Sequence, residues 1–116
     1  MFQVTLTDSG RRALKDAAAL LRGQAEGLRH TGSANTVAAL ENYVNTLDTL
    51  AAAGGTATVS AEQATHLEKA EFILEGVRDG LSNADFESRA DVVEQTIRSL
   101  DEIVTDVNTQ ASRGGR

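Results

Sequence analysis

An internal repeat constrains the fold of this chain more than any other feature of its sequence. Two segments read L-x-G-x-x-x-G-L, one at Leu21–Leu28 and one at Leu74–Leu81, so the second begins 53 residues after the first. Shifting the chain by 53 residues without a gap superimposes ten identical residues. Two unrelated amphipathic hairpins would also align at their leucines, but they would not share both glycine pairs and the Leu-Asp step at Leu47 and Leu100. We therefore interpret the sequence as a tandem duplication.

Each copy has the same plan. It opens with a short alternating stretch, FQVTLT or TATVS, which predicts a half-buried strand. Two helical patterns follow, with apolar residues at spacings of three and four. Thr7 or Asp8 is expected to cap the first helix, and Ser60 with Gln63 has the spacing of a capping box for the third.

The predicted fold is mainly α. It is a four-helix bundle-like domain made of two tandem helical hairpins with pseudo-twofold symmetry, each preceded by a short strand that is free to pair in a two-stranded ribbon. We expect a single domain over residues 1–116, with repeat one at 1–53, repeat two at 54–106 and a frayed tail at 107–116. The stretch Ala51–Thr56 forms the hinge, with Gly54 or Gly55 as the helix stop.

Four glycines lie inside the predicted first helices of the two copies. Each glycine in a helix interior costs roughly 1 kcal/mol relative to alanine, so a compensating role is expected. One interpretation is close approach of these helices, either within the chain or between two chains. The other is softening of the helix ends, where glycine is favoured. The residues are Gly23, Gly27, Gly76 and Gly80.

Charge is divided unequally between the copies. Residues 1–53 hold five basic and five acidic side chains, whereas residues 54–116 hold six basic and twelve acidic ones, so the whole net charge of −6 lies in the second part. The acidic excess is either a solvated face or a surface that binds a basic partner. The candidate partner-binding residues are Glu68, Glu71, Glu75, Asp79, Asp91 and Glu94.

Several chemistries are not expected. The chain has no cysteine, no phosphate-binding glycine loop and no H-E-x-x-H, so we predict no cofactor, no metal site and no enzymatic activity. His30 follows a helix end, and His66 with Glu62 reads as a surface pair. The acidic residues of the third helix lie mostly off its apolar stripe, so no raised pKa is expected there.

The negative charge and the scarcity of aromatic residues disfavour nucleic-acid binding. No signal peptide and no membrane span are predicted, and we expect a cytoplasmic protein.

These features favour a small acidic protein-interaction module that binds a partner protein, which the charge suggests is basic, through helix faces. Inhibitors, antitoxins, immunity proteins and regulatory adaptors act in this way. One alternative is a small-molecule binding or sensing module with a groove between the repeats, lined by Tyr43, Phe72 and Phe86. A second alternative is a structural subunit that self-associates, as a homodimer for example, through the glycine faces.

Overall fold

The computed structural model describes residues 2–53 and 55–114 and confirms the mainly helical fold. Each repeat contributes one short strand and two long helices. The second repeat starts its helices 53 residues after the first, at Ala61 against Asp8 and at Glu87 against Ala34. The elements are β1 (Phe2–Thr5), α1 (Asp8–Arg29), α2 (Ala34–Ala51), β2 (Thr56–Val59), α3 (Ala61–Asn83) and α4 (Glu87–Gly114).

The two strands pair antiparallel, as the predicted ribbon requires. Phe2 lies opposite Val59 and Val4 lies opposite Ala57. Ala57 is the residue 53 positions after Val4, so the centre of the ribbon joins a residue to its own counterpart. This register is unchanged when the two repeats are exchanged. The pseudo-twofold axis of the domain therefore passes through the pair formed by Val4 and Ala57.

Side-chain caps fix where the first helix of each repeat begins. The Thr7 hydroxyl accepts a hydrogen bond from the Gly10 N–H at 2.9 Å. Ser60 accepts from the Gln63 N–H at 3.1 Å, and the Gln63 side chain accepts from the Ser60 N–H at 2.9 Å. The predicted capping box is thus confirmed. Both caps satisfy backbone donors that have no partner inside the helix.

The core is built from the residues that the repeat shares. Within each hairpin α1 packs along α2 and α3 along α4, while the repeats meet through α1 on α4 and α2 on α3. These last two contacts are equivalent under the twofold axis. Three matched pairs of leucines are at most 1% exposed: Leu14 and Leu67, Leu21 and Leu74, Leu47 and Leu100. No helix in the described residues has the length and apolar character that crossing a membrane requires.

The end of the second repeat departs from the pattern of the first. Helix α2 ends at Ala51, whereas α4 continues past the corresponding Val104 to Gly114. The sequence predicts a frayed tail at 107–116, but Val107 is only 1% exposed and the Gln3 N–H donates to the Gln110 side chain at 3.0 Å. Residues 107–114 are therefore a helical extension, because Val107 prolongs the buried stripe. Residues 115–116, and Gly54 of the predicted hinge, lie outside the described part of the chain.

The glycine faces do not mediate close approach of α1 and α3. Gly23, Gly27, Gly76 and Gly80 are all exposed, and a Cβ atom built at any of them would meet no atom within 4 Å. The predicted packing of the first helices through these glycines is therefore wrong within the chain. The buried leucine and alanine faces hold the helices together instead. A contact between two chains through the same glycines stays a prediction.

A candidate interaction surface on the second repeat

Large apolar side chains are exposed only on the second repeat, among the residues that the structure describes. Phe72 is 74% exposed, Phe86 52% and Val92 64%. Isolated exposed apolar residues are common, but their confinement to one of two related halves is informative. The first repeat carries small or polar residues at the equivalent positions, namely Ala19, Ser33 and Ala39. The second repeat has thus acquired an apolar surface that the shared fold does not require.

An apolar groove of about 500 Å³ lies where α1, α3 and α4 meet. Leu20 of α1 forms one wall, and Val77 and Val92 stand where the first repeat has Gln24 and Ala39. Two of the five apolar lining residues are therefore larger or more apolar than their first-repeat counterparts, whereas Leu81 and Val93 correspond to the apolar Leu28 and Leu40. The complete lining is Leu20, Val77, Leu81, Ser88, Arg89, Val92 and Val93.

One charged residue, Arg89, lines this groove at the start of α4. Arg89 lies over the Phe86 ring, with 5.5 Å between its guanidinium carbon and the ring centroid. Glu87 lies in the first turn of α4, and Asp91 precedes the exposed Val92, but neither is a lining residue of the groove. Within residues 2–53 and 55–114, neither of these two carboxylates forms a salt bridge. Helix α4 thus carries negative charge without a cationic partner close in sequence to the groove.

Two of the six predicted partner-binding residues are instead paired inside the chain. Arg78 contacts Asp79 at 3.1 Å and Glu94 at 2.5 Å, and Arg98 contacts Glu94 at 3.4 Å. Hydrogen bonding to Arg78 lowers the pKa of Glu94. The charges of Asp79 and Glu94 are therefore compensated within the chain.

The other three predicted residues, Glu68, Glu71 and Glu75, follow one side of α3. The Glu71 carboxyl lies within hydrogen-bonding reach of Asp101 on α4, and its Oε1 atom is buried without a partner in the described residues. Burial and the Asp101 contact raise the pKa of Glu71 to about 7. We call Glu68, Glu71, Glu75 and Asp101 the acidic seam.

The expectation of no raised pKa on the third helix is therefore wrong. Glu71 lies about 60° around the helix from Leu74, at roughly 100° per residue, which brings its carboxyl to the edge of the α3–α4 interface. The sequence analysis also missed Asp101 as a member of this cluster. The repeat contained the signal, because Asp101 aligns with Asp48 whereas the residues of the preceding helix change from basic or neutral to acidic.

The predicted aromatic groove is not formed. Tyr43 packs in the α2–α3 interface, with its ring centroid 5.3 Å from that of His66, and the Thr46 hydroxyl lies 2.6 Å from His66 Nδ1. Phe72 precedes the buried Leu74 by two residues, which places it on nearly the opposite side of α3, at roughly 100° per residue. Phe86 lies under Arg89 just before α4 begins. The three aromatics are separated because Tyr43 faces the α2–α3 interface, Phe72 lies on the exposed side of α3 and Phe86 precedes α4.

The two histidines lie in different surroundings. His30 is the carboxyl-terminal cap residue of α1. His66 lies 3.9 Å from Glu62, as the sequence predicts, but its side chain is only 19% exposed and contacts Thr46, so it is not a surface residue. In the described part of the chain, no three His, Cys, Asp or Glu side chains converge as metal ligands do.

We compared the chain with protein-family models, with curated proteins and with solved structures. None of the three comparisons finds a match.

Proposed function

We propose that this chain is a protein-interaction module whose second repeat binds a basic, amphipathic helix of another protein. The supporting observation is the asymmetry between the repeats. Phe86 and Val92 are exposed beside the apolar groove, whereas the first repeat carries Ser33 and Ala39 at the equivalent positions. The shared scaffold folds from residues that both repeats possess, so the residues that differ are available for recognition.

A helix is the partner element that best suits the groove. Helix-in-groove recognition places apolar anchors at spacings of three and four residues into an apolar groove on the receiving protein. Val77 and Leu81 are themselves four residues apart along one wall. Buried apolar anchors would supply most of the affinity.

Charge indicates which chain provides that helix. Residues 54–116 hold twelve acidic and six basic side chains, so a second copy of this protein would bring like charges together. A basic partner would instead be attracted, and its charge would raise the rate of association. We place the module in the class of inhibitors and regulatory adaptors that act by covering a partner surface. The lack of cysteine is compatible with binding of this partner in the reducing cytoplasm.

The test uses variants that restore first-repeat residues at the groove. We would titrate the isotope-labelled protein with an amphipathic Leu/Lys helical peptide and follow backbone amide shifts, using a Leu/Glu peptide as the charge control. We expect the Leu/Lys peptide to shift amides around Leu20, Val77 and Val92. The double variant Val77→Gln with Val92→Ala should weaken binding by tenfold or more, since apolar anchors dominate such interfaces.

The matched control changes the equivalent positions of the first repeat, Gln24→Ala with Ala39→Ser, and should leave the affinity unchanged. Binding that is equal in both double variants, or shifts centred on the first repeat, would reject this docking surface. Absence of binding to the Leu/Lys peptide would also reject it.

A small-molecule role is the second candidate, since the groove volume of about 500 Å³ lies within the usual range for ligand pockets. Such pockets also present several convergent polar groups, and here only Ser88 and Arg89 are polar. A thermal-shift screen separates the two proposals, because a ligand that binds only the folded state raises the melting temperature.

A further inference from the structure

The acidic seam joins α3 to α4 through two carboxyl groups with no basic side chain between them. Glu71 and Asp101 lie within hydrogen-bonding reach, yet two ionised carboxylates offer no hydrogen to share. The contact becomes a hydrogen bond only when one group carries a proton. The buried Oε1 atom of Glu71 has no hydrogen-bond partner among the described residues, so no neighbouring side chain or backbone N–H donates to it.

We propose that the Glu71–Asp101 contact is a proton-dependent latch between α3 and α4, closed when Glu71 is protonated and open when it is ionised. When closed, the Glu71 O–H donates to the Asp101 carboxylate across the helix interface. When open, two negative charges repel each other at the same place. This inference does not depend on the docking proposal.

The first repeat has a salt bridge at the place that corresponds to the Glu71–Asp101 contact. Asp48, the counterpart of Asp101, forms a salt bridge with Arg22 of α1. The residue equivalent to Arg22 is Glu75, and the residue equivalent to Glu71 is Ala18. The first hairpin therefore joins its helices by an ion pair between a permanent cation and a carboxylate. The second hairpin has exchanged the cation for further carboxyl groups.

This loss of a cation is specific to Asp101. Glu41 and Glu94 are another matched pair of acidic residues, and each pairs with an arginine of the preceding helix. Arg29 contacts Glu41 at 2.9 Å, and Arg78 contacts Glu94 at 2.5 Å, although these arginines occupy different positions of the repeat. The seam is thus not a general consequence of the acidic second repeat, because the neighbouring carboxylate has a cationic partner there.

The charged groups that face Glu71 all favour its protonated form. Asp101 approaches from α4, and Glu68 and Glu75 add negative charge from the neighbouring turns of α3. The nearby basic side chains on the two helices, Arg78 and Arg98, are engaged by Glu94. Burial and these like charges together raise the pKa of Glu71 from 4.5 to about 7.

The sign of the pH dependence follows from proton binding. Between pH 4.5 and about 7 the folded chain keeps a proton on Glu71 that the unfolded chain has released. The stability of the fold therefore falls as the pH rises through this window. Above about pH 7 the repulsion between the Glu71 and Asp101 carboxylates is fully present. The latch consequently loosens the second hairpin, and not the first, on the alkaline side of neutrality.

Carbon-detected NMR of the Glu71 side-chain carboxyl tests the latch directly. We expect a titration midpoint near pH 7 in the wild-type chain, against 4.5 for an ordinary glutamate. Asp101→Asn supplies an amide donor to the ionised Glu71, so this variant should lower the midpoint by at least one pH unit. Asp48→Asn removes the corresponding carboxylate of the first repeat and should leave the midpoint unchanged.

Melting temperatures across pH 5.5–8.5 supply the second readout. Glu71→Gln carries a permanent amide donor, so we expect it to melt a few degrees higher than wild type at pH 8 and to lack the decline with pH that the latch causes. All other ionisable groups are common to the two proteins, so the difference between the curves reports Glu71. Glu62→Gln, an exposed change on the same helix, should follow the wild-type curve. A Glu71 midpoint near 4.5, or parallel curves for wild type and Glu71→Gln, would overturn the proposal.

Discussion

Replacing the four helical glycines by alanine should stabilise this protein. A Cβ atom at Gly23, Gly27, Gly76 or Gly80 would enter open space, so the substitutions introduce no steric conflict within the chain. Glycine in a helix interior is less favourable than alanine by up to about 1 kcal/mol, because more backbone freedom is lost on folding. The structure shows no packing contact at these positions that compensates for this cost.

The size of the effect depends on position along each helix. Gly23 and Gly76 lie well inside α1 and α3, so each should contribute about 0.5–1 kcal/mol. Gly27 and Gly80 lie within a turn of the helix ends and should contribute less. The quadruple variant should gain roughly 2–3 kcal/mol, which corresponds to a rise in melting temperature of about 10 °C for a domain of this size.

Urea denaturation followed by circular dichroism measures the gain. Gly32→Ala is the matched control, because its Cβ would lie 2.9 Å from the Leu28 carbonyl oxygen and should therefore destabilise the chain. Loss of stability in the quadruple variant would refute the reasoning. If sedimentation showed that the wild type associates and the quadruple variant does not, the glycines would be contact sites between chains, as the self-assembly alternative requires.

The remaining predictions concern the core and the helix caps. Leu14→Ala and Leu67→Ala occupy equivalent, fully buried positions, so each should cost about 2–5 kcal/mol, with similar values for the two, in urea denaturation; values that differ by more than half would contradict equivalent packing in the repeats. Ser60→Ala removes the α3 capping box and should lower stability by about 1 kcal/mol, whereas Ser60→Thr should retain most of it. An Ala variant as stable as wild type would show that the cap is replaceable by solvent.

The sequence predicted the elements that depend on local patterns. Apolar spacing located the four helices, and the Ser60 and Gln63 pair located the start of α3, because a cap acts within one turn. The ribbon was predictable from the repeat, since Val4 and Ala57 occupy equivalent positions. These features require no knowledge of how distant segments pack.

The sequence failed where the outcome depends on contacts between helices. The pKa of Glu71 is raised by burial and by an aspartate 30 residues away on another helix, which periodicity along α3 alone does not reveal. Close packing was one of two interpretations of the glycines, because their cost suggested a benefit, but a Cβ atom at any of the four would meet no atom within 4 Å. The apolar groove depends on Leu20, Val77 and Val92 from three different helices. A residue-by-residue comparison of the repeats would have singled out Val77 and Val92, which align with Gln24 and Ala39.

The ribbon has a consequence for how such a molecule can arise. Strand β1 is complementary to a copy of itself, since Val4 meets the residue that replaced it in the second repeat. Two separate polypeptides, each holding one strand and one hairpin, could therefore assemble into the same architecture as an identical pair. In a single fused chain each half can diverge independently, so one half could gain the docking groove proposed above while the other half continues to support the fold.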